Sequence, residues 1–368
     1  MRVAAEDLQD LSAGAVFLAT GGGGDPYVAY LTTQQVLQKN GPVPLVDVNE
    51  LDDDAYVVTI GGVGAPTVSL ELLPSVNTPA QVLTLFEKHV GRTVDAVVSF
   101  EIGGGNSMIP MIAASQQGIP VVDGDGMGRA LPEAQMMTYP IAGVKPTPAL
   151  AVDYAGNVVT FQTDNTTTYE RHVRSITTAM GGMIVAAEHP MTGKQLKSSI
   201  VPNTVSFSLE IGKVLRKHRG STQRIYEPLR EVFFDSIYGG LFHVYSGKVI
   251  DYASRIIGGY DIGKAIVESF DSKVPNLEVA VKNEYLVATI EDQVVASVPD
   301  LIVMLDYETS TPINAERLRY GQRVSVFAIG CPEYYRSERA LAVVAPRCFG
   351  FDFDFVPVER LTEYHRGL

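Results

Sequence analysis

Asp95-Ala96-Val97-Val98-Ser99-Phe100-Glu101-Ile102-Gly103-Gly104-Gly105-Asn106 sets a strand, a carboxylate and a glycine turn end to end. Ala96 to Ser99 is apolar or small on both faces, which suits a strand covered on both sides. Glu101 follows at once. Three glycines then let the backbone turn sharply and approach other groups closely. Asn106 can cap the helix announced by Met108, Ile109, Ile112 and Ala113. Gly118 closes that helix, and Ile119-Pro120-Val121-Val122 is a second short apolar strand that runs directly into Asp123.

The same alternation extends outward. Helical spacing covers residues 5–18 and, behind Asp25-Pro26, the stretch to Lys39. Val43–Val46 and Ala55–Ile60 read as strands, and Thr78-Pro79 opens a helix to about His89. Strands alternating with helices predict an α/β domain, a parallel sheet with helices on both faces. Ligands bind outside the carboxyl ends of such strands. Three glycine turns fall there: Gly61–Gly64, Gly103–Gly105 and the Gly124, Gly126, Gly128 series. After about residue 148 the pattern changes to a hairpin, helices near 168–180, 204–218 and 227–237, and then short strands. The expected division is an α/β domain over 1–165 and a β-rich C-terminal domain with some helices over 166–368.

Charge narrows the function classes. Residues 1–160 hold 6 basic and 17 acidic residues, against 23 and 25 in the rest, so the net charge of −13 is almost wholly N-terminal. A field of that sign repels phosphate backbones and argues against a nucleic-acid partner. No stretch approaches 18 uninterrupted apolar residues, so no membrane span is expected. Acids flank the first residues where a signal peptide needs basic ones. Two cysteines, Cys331 and Cys348, make no disulfide framework, which fits a reducing cytoplasm. The dinucleotide and P-loop fingerprints are both absent.

Beside these physical signals stands a resemblance. Glu101-Ile102-Gly103-Gly104-Gly105-Asn106 and Asp123-Gly124-Asp125-Gly126-Met127-Gly128-Arg129-Ala130-Leu131-Pro132-Glu133 resemble the S-methyl-thiohydantoin desulfurase-like family. Ala179-Met180-Gly181-Gly182 and Ala345-Pro346-Arg347-Cys348-Phe349-Gly350-Phe351-Asp352 extend the likeness over essentially the whole chain. The resemblance implies a hydrolase-like enzyme acting on a hydantoin-type ring, with a metal suspected, in the setting of hydantoinase and oxoprolinase systems. It assigns no metal ligands.

The candidate chemistry gathers on the acidic turns. Asp123, Glu101 and Arg129 are the expected catalytic groups: a carboxylate or a metal activates water, and Arg129 or backbone amides hold the developing oxyanion. Gly62, Gly104, Asn106, Gly126 and Glu170 are the expected substrate contacts. Asp123 and Asp125, two apart after a strand, with His189 from the second half, are the candidate ligands of a divalent metal such as zinc. Each has a plainer reading. The aspartates can accept backbone N–H groups in the turn, Arg129 can pair with Glu133 one helical turn on, and Glu170 can pair with Arg174. The expected function is a cytoplasmic hydrolase of a small cyclic amide, working as a homo-oligomer on a small-molecule substrate. A nucleotide-dependent enzyme and a non-catalytic subunit of a hydantoinase-type system are the alternatives.

Overall fold

The structure, a computed structural model, describes residues 1–65, 68 and 75–365. The first half runs β1 (Arg2–Val3), α1 (Leu8–Leu18), α2 (Tyr27–Asn40), β2 (Val43–Val46), β3 (Tyr56–Gly64), α3 (Thr78–Val90), β4 (Ala96–Ser99), α4 (Ile109–Gln117) and β5 (Val121–Asp125). It continues with α5 (Thr138–Ile141), β6 (Ala149–Asp153), β7 (Val158–Phe161), α6 (Thr166–Ala179), β8 (Met183–Thr192), α7 (Gly193–Lys197), β9 (Val201–Pro202), α8 (Thr204–Lys217) and α9 (Thr222–Phe234). Then come β10 (Leu241–Ile257), β11 (Tyr260–Ser269), β12 (Leu277–Lys282), β13 (Glu284–Ile290), β14 (Gln293–Ser297), β15 (Leu301–Asp306), β16 (Arg323–Ile329), α10 (Glu338–Val344) and α11 (Val358–His365).

Two sheets carry the molecule. The first has the order β1-β2-β5-β4-β3-β8-β6-β7, with β9 added on β5. Its centre, β2-β5-β4-β3, is parallel, as the strand–helix alternation predicts. Beyond β3 it turns antiparallel through β8, β6 and β7, so the sheet is mixed. It also draws β8 and β9 from beyond residue 165. Helices α2, α3 and α4 pack as one group, and α1, α8 and α9 as another. The second sheet is antiparallel throughout, β14-β13-β12-β11-β10-β16-β15, and curls so that β13 meets β15. The β-rich character expected of the C-terminal part is observed.

One glycine expectation is corrected. Gly61–Gly64 is not a turn but the end of β3, paired with Ala186 to Met183 of β8. Gly61 lies under the Phe100 ring, where a Cβ would come within 2.4 Å of a ring carbon. Close packing, not chain reversal, demands glycine there. Helices α1 and α8 show the same logic. A Cβ on Gly14 would sit 1.8 Å from the Ser208 carbonyl oxygen, and one on Gly212 would sit 1.8 Å from that of Asp10. The two glycines face each other's helix and allow backbone contact.

The sheets are stitched through the first glycine loop. Tyr285 donates its N–H to the Thr20 carbonyl (2.7 Å), and Ala315 to that of Gly21 (2.8 Å). The Asn314 amide reaches the carbonyls of Gly22 and Gly24. Residues 20–24, between α1 and α2, therefore dock the second sheet onto the first.

Candidate active site

At the carboxyl ends of β3 and β4 lies a cleft of about 190 Å³. Its walls come from Gly23–Asp25, Gly62–Gly64, Phe100–Glu101, Gly105–Asn106, Leu131–Ala134, β8 and the β12–β13 hairpin. Glu101 leaves β4 with its backbone fixed by the Ser99 hydroxyl, which donates to the carbonyls of Glu101 (2.6 Å) and Asn106 (3.0 Å). The Asn106 side chain bridges two strand ends. Its Oδ1 accepts the Gly62 N–H (2.7 Å), and its Nδ2 donates to Glu101 Oε1 (2.8 Å). The Leu131 N–H donates to Glu101 Oε2 (3.3 Å). Glu101 is only 6% exposed, and burial pushes its pKa up to about 8 against those two donors.

A second carboxylate meets it from the other sheet. Glu284 follows Asn283, whose φ of +59° forms the tip of the β12–β13 hairpin. Its side chain fits because Gly22 has no Cβ; one there would come within 2.1 Å of Glu284 Oε1. Glu284 is buried, and among the described residues its Oε2 has no hydrogen-bond partner. Burial first, then the charge of Glu101, hold this carboxyl well above the usual range, against the pull of Arg129 and Lys282. Among the acids that line the cleft, Glu101 and Glu284 come from the two sheets, and the charge of Glu101 disfavours ionisation of Glu284.

Other polar groups finish the walls. Tyr169 donates its hydroxyl to Glu188, and His189 Nδ1 lies 3.1 Å from Glu188 Oε1. Glu170 accepts the Ala134 N–H (2.9 Å), the Arg174 guanidinium (3.0 Å) and the Tyr260 hydroxyl (3.0 Å). Arg174 and Lys282 both stack on the Tyr260 ring, at 4.4 Å from its centroid, and Lys282 pairs with Glu133.

The structure brings four of the expected residues together in this cleft: Glu101, Asn106, Gly62 and Glu170. It places the others outside its wall, each for a visible reason. Asp123 accepts the Val205 and Ser206 N–H groups (3.1 and 3.0 Å), closing the open N-terminus of α8. Asp125 Oδ2 accepts three N–H groups, from Ile102, Met127 and Gly128, and ties the two glycine turns together. Burial raises its pKa to about 7 despite them. Arg129 does not pair with Glu133. Four of its five N–H groups go to the carbonyls of Ala130, Pro299 and Asp300 and to the Thr20 hydroxyl, at 2.7–2.9 Å, and Glu284 is the leading negative charge it faces. Gly126 lies against Tyr139, and Gly104 against the Gly24 carbonyl, with Gly105 forming the cleft wall beside it.

Asp123, Asp125 and His189 do not make a metal donor set as they stand. The two aspartates turn their oxygens to different backbone amides, and His189 is packed between the Tyr139 and Tyr169 rings. Among the described residues no group of three or more His, Cys, Asp or Glu converges on one point. Glu284, Glu188 and Tyr169 were missed in the sequence. The one signal for Glu284 was a charged Lys282-Asn283-Glu284 break between two apolar strands.

Two family models together cover residues 6–358 of this chain. The model described as "S-Me-THD-like, N-terminal domain" matches residues 6–163, and "S-Me-THD-like, C-terminal domain" matches 163–358. The chain belongs to the S-Me-THD-like family. Its fold is similar to the X-ray crystal structure of a protein from Chromobacterium violaceum, a structural-genomics target. That likeness has a TM-score of 0.80 at 24% identity over 97% of this chain and all of the other. No curated protein matches it. The member described here carries its cleft carboxyls on both family domains: Glu101 on the first, Glu284 on the second. Among the described residues, no helix is long and apolar enough to cross a membrane.

Proposed function

We propose that this S-Me-THD-like protein is a hydrolase of a small cyclic amide of hydantoin or thiohydantoin type, with Glu101 as general base and Glu284 as general acid. The observation that carries this reading is the pair of buried carboxyls from the two sheets in one glycine-walled cleft, Glu101 held by Asn106 and Leu131 and Glu284 seated against Gly22. Glu101 accepts two N–H donors that favour its charged form and suits the base, while burial and the charge of Glu101 favour the protonated form of Glu284 and suit it to be the acid.

The chemistry balances without another reactant. Ionised Glu101 takes a proton from water as the water oxygen bonds to the ring carbon. The bond from that carbon to the ring nitrogen or the S-alkyl sulfur then breaks, and Glu284 gives its proton to the departing atom. The proton on Glu101 returns the pair to its starting charge. The Gly62–Gly64 strand end and Gly105 allow a flat ring to lie against backbone. Asn106 keeps Glu101 aimed at the cleft while its own amide oxygen is held by Gly62. Arg174, stacked on Tyr260, supports the mouth of the cleft.

The test is hydrolysis of an S-alkyl thiohydantoin and of the matching hydantoin, followed by thiol release and by loss of ring absorbance. Turnover of either ring, with a loss of 10²-fold or more in Glu101→Gln and in Glu284→Gln, is expected for removal of a general base or acid. Wild-type rates in both variants would refute the assignment.

A further inference from the structure

The C-terminal half of β10 has a free edge. Along Asp251–Ile257 this strand pairs with β11 on one side, Asp251 opposite Ile266 through Ile257 opposite Tyr260. On its other side β16 ends opposite Lys248, and the adjoining chain makes its last backbone bonds at Val249, with Gln322 and Gly321. Among the described residues no backbone hydrogen bond reaches the outer edge beyond that point. Residues 253–258 are all exposed, including Ile256 at 53% and Ile257 at 55%. A long unpaired edge with exposed isoleucines is a template for another strand.

We propose that this edge pairs with the same edge of a second copy of the chain, antiparallel about a two-fold axis at Ala253. The sequence Asp251-Tyr252-Ala253-Ser254-Arg255 is self-complementary in that register. Asp251 of each copy stands opposite Arg255 of the other, and Tyr252 opposite Ser254. Directly opposed residues share a face of the sheet, so the axis passes through a residue. Shifting the axis to Tyr252 or Ser254 loses both charge pairs. Neither Asp251 nor Arg255 has an ion-pair partner among the described residues of its own chain, and both are exposed. The pairing joins the two curled sheets into one continuous sheet through Asp251–Arg255, and stops where the Val249 edge is taken by Gln322 and Gly321. It is an isologous contact, in which every interaction occurs twice. It also steadies the hairpin whose tip residue, Tyr260, holds Glu170 at the mouth of the cleft.

Sedimentation equilibrium on the full chain tests this, with the charge reversals Asp251→Arg and Arg255→Asp and the double reversal. The wild type is expected to be a dimer at micromolar concentration. Each single reversal sets two like-charge pairs across the axis and weakens the dimer roughly tenfold or more. The double reversal restores it, because the pairs are exchanged rather than lost. Both positions are exposed on a strand already paired to β11, and unchanged circular dichroism and melting temperature of the monomer check that the fold survives. A monomeric wild type overturns the proposal. A dimer indifferent to the single reversals, or one not restored by the double, overturns the register and with it the assignment of this edge. Hydrolysis is assayed separately, so failure of the dimer leaves the reading of the cleft standing.

Discussion

Replacing Glu101 by Gln reverses the sign of a stability difference across the pH scale. The carboxyl ionises at about 8 in the fold, against an ordinary 4.5. Between those values the folded chain keeps a proton that the unfolded chain has released. Stability therefore falls as pH rises through the window, at about 1.36 kcal/mol per unit. Over the full window the loss is on the order of 4 kcal/mol for a group this buried. Gln has the same shape and no charge to desolvate, so it escapes that loss. It pays in one hydrogen bond, since an amide cannot accept from both Asn106 and Leu131, which costs about 1 kcal/mol. Removing the Glu101 charge also lets the Glu284 carboxyl ionise more readily, which adds to the advantage of the variant at high pH. The variant is thus less stable than wild type by about 1 kcal/mol at pH 3.5, nearly equal to it at pH 5, and more stable by about 3 kcal/mol at pH 9. The chain has no tryptophan, so urea unfolding at five pH values is followed by far-UV circular dichroism. A difference between the two proteins that stays constant from pH 5 to 9 refutes the reasoning, because Glu101 would then be ionised in the fold at every pH tested.

The same ionisation controls the rate. With Glu101 as base, kcat/KM rises with pH through about 8, and Asn106→Ala, which removes a donor that favours the charged form, moves that limb to higher pH; an unmoved limb separates Asn106 from the base. Asp123→Ala uncovers two N–H groups at the start of α8 and costs about 1–2 kcal/mol in urea unfolding, while activity per folded molecule is retained; loss of activity without loss of stability contradicts the capping role. Gly212→Ala improves intrinsic helix propensity by about 1 kcal/mol yet drives a methyl into the Asp10 carbonyl, so a net loss of about 2 kcal/mol is expected, read as a drop of several degrees in Tm.

Local patterns carried the architecture further than the site. Apolar runs of four residues between helical spacings are enough to locate β2, β4 and β5, because a central parallel strand is buried on both faces and leaves a plain signature. Strand β8 left none. Its Ala186-Ala187-Glu188-His189-Pro190 segment turns polar groups inward, toward Tyr169 and the cleft, and so breaks the alternation by which a strand is recognised. Glu101 was legible because strand, acid and glycines adjoin in the chain. Asp123 and Asp125 show the same local pattern with a different outcome. What separates them is the presence of free N–H groups nearby, at the start of α8 and within the next turn, and those positions depend on how distant segments pack.

Glu284 marks the limit of reading one strand end at a time. Only the charged Lys282-Asn283-Glu284 break between two apolar strands sets it apart, and its carboxyl acquires its character only when the second sheet docks. The docking surface is the Gly20s loop: Thr20, Gly21, Gly22 and Gly24 receive backbone or amide bonds from Tyr285, Ala315 and Asn314, while Gly22 leaves the space Glu284 occupies. A side chain at Gly22 would collide with the Glu284 carboxyl itself. The glycines at this edge therefore serve less as a cradle for ligand than as room for a second carboxyl. Arg129 works on the same seam, holding the Pro299 and Asp300 carbonyls from the first half of the chain. The acid–base pair is in consequence a property of the assembled sheets. A change that loosens the seam should lower the pKa of both carboxyls toward ordinary values, because water then reaches them, and should cost the cleft its division of acid and base before it costs either sheet its fold.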